Sequence, residues 1–173
     1  MVTQFTYQMP IKIYFGRGKF SELTDILSEM SVERCVIACD SFFADRKDEL
    51  MAVSPCIKAV YADIMPDPQL QGVRDVIELM REHDAEVVIG FGGGASMDTA
   101  KFAAASVYGE YDVTEYFYRR QPFPEKRAKI ICVPTTAGTG SEVTQVSVTN
   151  DGNYKQTINN PAFWPRRASS IPP

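Results

Sequence analysis

Three consecutive glycines, Gly92, Gly93 and Gly94, stand between an apolar run at residues 86–91 (EVVIGF) and a helix-forming stretch from about Ser96 to Val107. No other feature restricts the chain so strongly. A run without Cβ atoms where a buried strand turns into a helix permits positive φ and lets backbone N–H groups approach a ligand closely. The helix that follows offers N–H groups without intrahelical acceptors and the positive end of its dipole, a combination suited to phosphate. The alternative is a tight strand-to-helix turn that holds nothing; the triplet, flanked as it is, favours an anion site. Gly90, Gly92 and Ala95 also fit G-x-G-x-x-A. That fingerprint belongs to a first βα turn, and several elements precede this one, so the match is weak.

The rest of the chain alternates short β-rich runs with amphipathic stretches. Residues 10–15 (PIKIYF) alternate as a half-buried strand does, and residues 20–30 carry Phe20, Leu23, Ile26 and Leu27 at helical spacing. Residues 34–39 (RCVIAC) form a mostly apolar run, as expected of a parallel strand buried on both faces. A further strand is expected at residues 57–61, a turn at Pro66-Asp67-Pro68, and a helix at residues 70–83 with Leu70, Val73, Ile77 and Met80 on one face. Residues 129–133 (KIICV) form another strand, leading into a loop rich in glycine and hydroxyls at residues 134–141. Strands separated by helices imply right-handed βαβ units and a mainly parallel sheet. Residues 144–149 and 154–158 alternate around the turn Asn150-Asp151-Gly152-Asn153, a β-hairpin pattern. The fold class is therefore α/β: a Rossmann-like parallel sheet with helices on both faces and a β-hairpin. Residues 1–160 form this domain, and residues 161–173, without a credible period, form an irregular tail.

A chain of 173 residues suits one domain and can bury about two-thirds of its unfolded surface. With 18 Lys+Arg against 22 Asp+Glu, a net charge of −4 argues against a nucleic-acid partner. No apolar run approaches the ~20 residues that span a bilayer, and no secretory signal is visible, so no membrane partner is expected. Cys35, Cys39, Cys56 and Cys132 lack metal or redox spacing; Cys35, Cys39 and Cys132 lie in apolar runs as buried thiols. A reducing cytoplasm is the expected location. His83, the single histidine, sits in the charged helix end Arg-Glu-His-Asp and reads as solvated.

Asp40 closes an apolar strand. A carboxylate there accepts both hydroxyls of an adenosine ribose and repels a 2′-phosphate, which favours NAD over NADP; capping the segment from Ser41 onward is an equal local alternative. Thr135, Thr136, Thr139 and Ser141 supply hydroxyls to a second ligand-facing loop, or to a surface turn. Asp98 falls early in the helix, where an acid stabilises the dipole, and Lys101 reads as a solvated helix lysine.

Taken together, Gly92-Gly93-Gly94-Ala95-Ser96-Met97-Asp98-Thr99-Ala100-Lys101 and Pro134-Thr135-Thr136-Ala137-Gly138-Thr139-Gly140-Ser141-Glu142 resemble the two signature motifs of the iron-containing, or group III, alcohol dehydrogenases. Phe15-Gly16-Arg17-Gly18, Asp40 and Pro66-Asp67-Pro68 fall where that family has similar signals, so the resemblance runs from about Pro10 to Lys155. It implies a dinucleotide-binding domain followed by a helical domain holding a divalent metal, usually Fe²⁺, and reversible hydride transfer between NAD(P) and an alcohol or aldehyde. By the same resemblance, Gly93, Gly94 and Ser96 face the pyrophosphate, Thr135, Thr136 and Thr139 line the cofactor, Asp40 binds the adenosine ribose, and Lys155 lies near the nicotinamide. Asp67 and Asp98 complete the cofactor-binding candidates. Two residues depart from the pattern: Ala95 replaces the family's loop serine, and Asp67 replaces an asparagine, placing a negative charge near a phosphate cleft.

The family's metal ligands, one Asp and three His, lie in a second half that is not in this sequence. No metal ligand is therefore expected here, and the chain reads as a cofactor-binding half, inactive alone, that would form a homodimer through its first strand. Two alternatives are a Zn²⁺ polyol dehydrogenase of the same superfamily and a stand-alone nucleotide-binding or scaffold remnant. The tail is compatible with truncation: for residues 165–173 (PRRASSIPP) there exist codons that, read two nucleotides later, give Glu-Thr-Gly-Ile-Ile-Asp-Pro, close to the family's continuation. A frameshift is the expectation.

Overall fold

The computed structural model describes Gln4 and residues 9–170. Six parallel strands form one sheet: β1 (Lys12–Phe15), β2 (Cys35–Asp40), β3 (Ile57–Ile64), β4 (Val87–Gly92), β5 (Lys129–Pro134) and β8 (Arg167–Ser170), in the order β1-β8-β5-β4-β2-β3. β6 (Val146–Asn150) and β7 (Lys155–Asn159) pair antiparallel as the expected hairpin. Helices α1 (Leu23–Glu29), α2 (Lys47–Ala52), α3 (Leu70–Glu82), α4 (Gly94–Ser106) and α5 (Val113–Phe117) complete the domain.

The apolar runs become the inner strands because both of their faces are covered. Every residue of β4 is buried, as are the first five of β2. One core packs Val36, Ala38 and Val88 under α3, α4 and α5; the other packs Ile37, Val87 and Ile89 under α1 and α2. Helices thus cover both faces of the sheet. Burying a branched side chain of this kind contributes about 1.5–3 kcal/mol, so the interior strands anchor the fold. β1 departs from the half-buried expectation: as an edge strand it leaves Ile13 44% and Phe15 77% exposed.

Residues 161–170 correct the expectation of an irregular tail. Pro161–Phe163 form a short 3-10 turn, and Arg167–Ser170 enter the sheet between β1 and β5. A strand read as Arg-Ala-Ser-Ser has no apolar pattern to announce it; parallel pairing on both sides creates it. The misfit leaves a mark, since the Ser169 hydroxyl is buried without a hydrogen-bond partner. Residues 171–173 of that tail, and most of the N-terminal stretch read for a signal, lie outside the described residues. Among the described residues no helix is long and apolar enough to cross a membrane.

Strand order positions the site. From β2 the chain crosses outward to β3, whereas from β4 it crosses the opposite way to β5. The carboxyl ends of β2 and β4 therefore flank a topological switch point, where open α/β sheets form a ligand crevice. Asp40 ends β2 and Gly92 ends β4, side by side, because Cys39 is in register with Phe91.

Candidate dinucleotide site

Gly92 leaves β4 at φ 140°, and a Cβ there would overlap the Asp40 carboxylate and lie 2.8 Å from Ser96 Oγ. Of the triplet, Gly92 alone uses a positive φ. Gly93 is extended and precedes α4, which starts at Gly94, two residues earlier than its sequence suggests and without a side-chain cap. Gly90 serves packing: a Cβ would stand 2.8 Å from the Met97 Cα, so its absence lets α4 lie directly on β4.

Asp40 does not take up the capping alternative: it makes no side-chain cap for the turn that follows it. Its Oδ2 accepts the Gly93 N–H at 2.9 Å and its Oδ1 accepts the Ser96 hydroxyl at 2.5 Å, which ties β2 to the start of α4. Each carboxylate oxygen keeps a further lone pair, so the group still accepts hydroxyls from a ligand. On the other side of the glycines, Thr135 N–H donates to the Gly92 carbonyl at 2.9 Å, and the hydroxyl of Thr136 lies 3.6 Å from where a Gly93 Cβ would be. Asp40, Gly93, Gly94, Thr135 and Thr136 thus line one cavity of about 570 Å³. The first-turn N–H groups of α4 have no intrahelical acceptor at this mouth. Thr139 adjoins it: its Cγ2 lies 3.5 Å from the position of a Gly94 Cβ. Ser96 is buried behind the glycines and acts on the cavity through Asp40.

Asp67 and Lys155 meet beside this cavity, whose rim includes Pro66. Their ion pair is 3.0 Å long, and Asp67 also accepts the Asn150 side-chain amide. These two partners lower the Asp67 pKa and keep it ionised. Asn150 N–H donates to the Pro68 carbonyl at 2.9 Å, so the hairpin is fastened to the proline turn. The charge that Asp67 brings near the cleft is balanced by Lys155.

Asp98 and Lys101 are placed differently from their sequence reading. Asp98 does not line the cavity. It is buried, as is Lys101, whose side chain is wholly inaccessible rather than solvated. Lys101 Nζ donates to Asp98 Oδ1 at 3.3 Å, Ser141 Oγ at 2.6 Å and the Val146 carbonyl at 2.7 Å. Asp98 also accepts from Ser141 Oγ at 2.6 Å and from Val148 N–H at 2.9 Å. The pair joins α4 to the hairpin and the second loop. Exposure was expected at Lys101 because charge in a helix usually faces water; α4, enclosed by the sheet and β6, has no wet face.

Sequence reasoning missed the apolar side of the cavity, formed by Phe42, Phe43 and Ile64. Two adjacent aromatics directly after a strand-ending acid were the available signal. The buried thiols fall as expected: desolvation pushes Cys35, Cys39 and Cys132 up to about 12. Among the described residues no group of three or more His, Cys, Asp or Glu side chains converges as a metal site.

The chain is similar to known proteins along most of its length. The chain is 30% identical over 169 residues to 1-propanol dehydrogenase PduQ of Citrobacter freundii, covering 94% of this chain and 41% of that protein. It is 29% identical over 171 residues to the long-chain primary alcohol dehydrogenase AdhA of Thermoanaerobacter ethanolicus, covering 92% and 43%. Sulfoacetaldehyde reductase from Bifidobacterium kashiwanohense, solved in complex with NAD⁺, superposes with a TM-score of 0.91 at 32% identity, covering 98% of this chain and 46% of that one. The chain spans under half the length of each of these relatives. Residues 10–169 match the family model for iron-containing alcohol dehydrogenase, and with the crevice at the switch point in place, the chain belongs to that family.

Proposed function

We propose that this chain binds NAD in the cavity at the carboxyl ends of β2, β4 and β5, as the dinucleotide-binding part of an enzyme that interconverts alcohols and aldehydes. The carrying observation is that Asp40, Gly93, Gly94, Thr135 and Thr136, drawn from three separate segments, line one cavity. The cavity fits the group: uncapped helix N–H groups and bare glycine backbone suit a pyrophosphate, and a carboxylate with free lone pairs suits ribose hydroxyls. Ser96 orients Asp40, while Thr136 and Thr139 flank the glycines. Asp67 holds Lys155 at the proline turn, on the side assigned to the nicotinamide. Asp98 binds no cofactor in this reading and instead fixes α4 against the hairpin. Asp40 disfavours a 2′-phosphate by charge repulsion, which selects NAD over NADP.

Bound NAD supplies the hydride acceptor; this chain's residues hold and orient it. The described residues do not form a metal site, so no step is assigned to Fe²⁺, and inactivity of the chain alone remains part of the proposal. The position of β1 at the edge of the sheet among the described residues, with Ile13 and Phe15 exposed, supports homodimerisation there.

Titration of NADH fluorescence against the chain, with and without Fe²⁺, is the deciding experiment. Saturable binding is expected, weakened about 10-fold or more by Asp40→Ala, as befits loss of a charged hydrogen-bond acceptor, with NADPH bound less tightly than NADH. Absence of binding to either nucleotide would refute the proposal. Binding without alcohol-dependent turnover, even with Fe²⁺, is the result expected of a cofactor-binding half, whereas no binding would favour a structural remnant.

A further inference from the structure

Phe42 is 81% exposed, the most exposed of the large apolar side chains in the described residues, and it lines the cavity two residues beyond Asp40. Such exposure is costly without a partner. The ring is nevertheless held in place. Phe43 beneath it is buried and packs edge-on to Phe42 at 5.2 Å and to Phe91 of β4 at 4.9 Å. Phe91 in turn meets Phe20 at 5.0 Å. On the neighbouring strand end, Ile64 and Pro66 face the same cavity, and Ser41 Oγ contacts Met65 Sδ at 3.8 Å. An anchored, solvent-facing ring beside apolar walls and a carboxylate matches a flat heteroaromatic group joined to a diol.

We infer that Phe42 is the platform on which the adenine of the dinucleotide stacks. This rests on the NAD reading above. Asp40 is the acceptor for the ribose hydroxyls, and the base is attached to the ribose carbon next to the 2′-hydroxyl. It therefore lies within a few bonds of Asp40, where Phe42 is the exposed aromatic. Base–aromatic stacking is tolerant of base identity and strong enough to decide affinity. The nicotinamide ring belongs with Lys155 and Asp67 in this reading, so Phe42 acts on the adenosine half alone.

Calorimetric titration of the 173-residue chain with AMP and with ribose 5-phosphate isolates the base. The wild-type chain binds AMP more tightly than ribose 5-phosphate. Phe42→Ala removes that preference, weakening AMP and NAD⁺ by about 5- to 50-fold while leaving ribose 5-phosphate unchanged. Phe42→Trp keeps the preference, and AMP, but not ribose 5-phosphate, quenches the added indole. Circular dichroism of each variant checks folding, which an exposed position leaves intact. If Phe42→Ala retains the wild-type ratio of AMP to ribose 5-phosphate affinity while NAD⁺ binds, the stacking inference fails and the NAD reading survives. If the wild-type chain binds neither NAD⁺ nor AMP, both fail.

Discussion

Replacing Lys101 with methionine removes an ammonium whose three donors are all used, in a side chain wholly shielded from water. Methionine fills much of the same volume, so the loss is electrostatic. Asp98, whose side chain is 11% exposed, is left with the Ser141 hydroxyl and the Val148 N–H as its donors and no counter-charge. Breaking a buried pair from one side costs about 3–5 kcal/mol, because a desolvated charge stays behind. For a domain of this size each kcal/mol lowers Tm by about 2–4 °C, so Lys101→Met should melt about 6–20 °C below wild type. Thermal and urea unfolding, followed by circular dichroism and Trp164 fluorescence, measure the change. The double variant Asp98→Asn/Lys101→Met neutralises the orphaned carboxylate and should recover at least half of the loss. A single-variant destabilisation below about 1 kcal/mol, or a double variant no better than Lys101→Met, would refute a buried pair of this strength.

Gly90→Ala brings a Cβ within 2.8 Å of the Met97 backbone, which cannot yield as a side chain can; the expected cost is about 1–3 kcal/mol in urea unfolding, with far-UV signal retained. Cys35, Cys39 and Cys132, held near 12 by burial, should resist a thiol reagent at pH 8 while half-buried Cys56 reacts, and all four should react after unfolding. Linkage gives the sign: below the unfolded value of about 8.5 both states keep these thiol protons, above it the unfolded state releases them while the folded state holds them, so stability falls as pH rises from about 8.5 toward 12. Ser169→Ala deletes a buried hydroxyl without a partner and should be neutral or stabilising by up to about 1 kcal/mol, measured as a rise in urea midpoint.

The amino-acid sequence by itself determined the inner strands, the amphipathic α3, the hairpin and the two glycine- and threonine-rich loops. Each is governed by local chemistry: apolar runs demand burial on two faces, and glycine or alternating residues dictate backbone form. It also marked Asp40, Gly93, Gly94, Thr135 and Thr136, because residue types at strand ends carry their chemistry with them. Only the tertiary structure decided what those ends face. Strand order brought β2 beside β4 and so set Asp40 against Gly93; enclosure of α4 turned Lys101 and Asp98 from a surface lysine and a dipole partner into a buried pair. Pairing on both sides made a strand of Arg167–Ser170 against its own composition. Burial and strand neighbours depend on segments distant in the chain, and no local pattern records them.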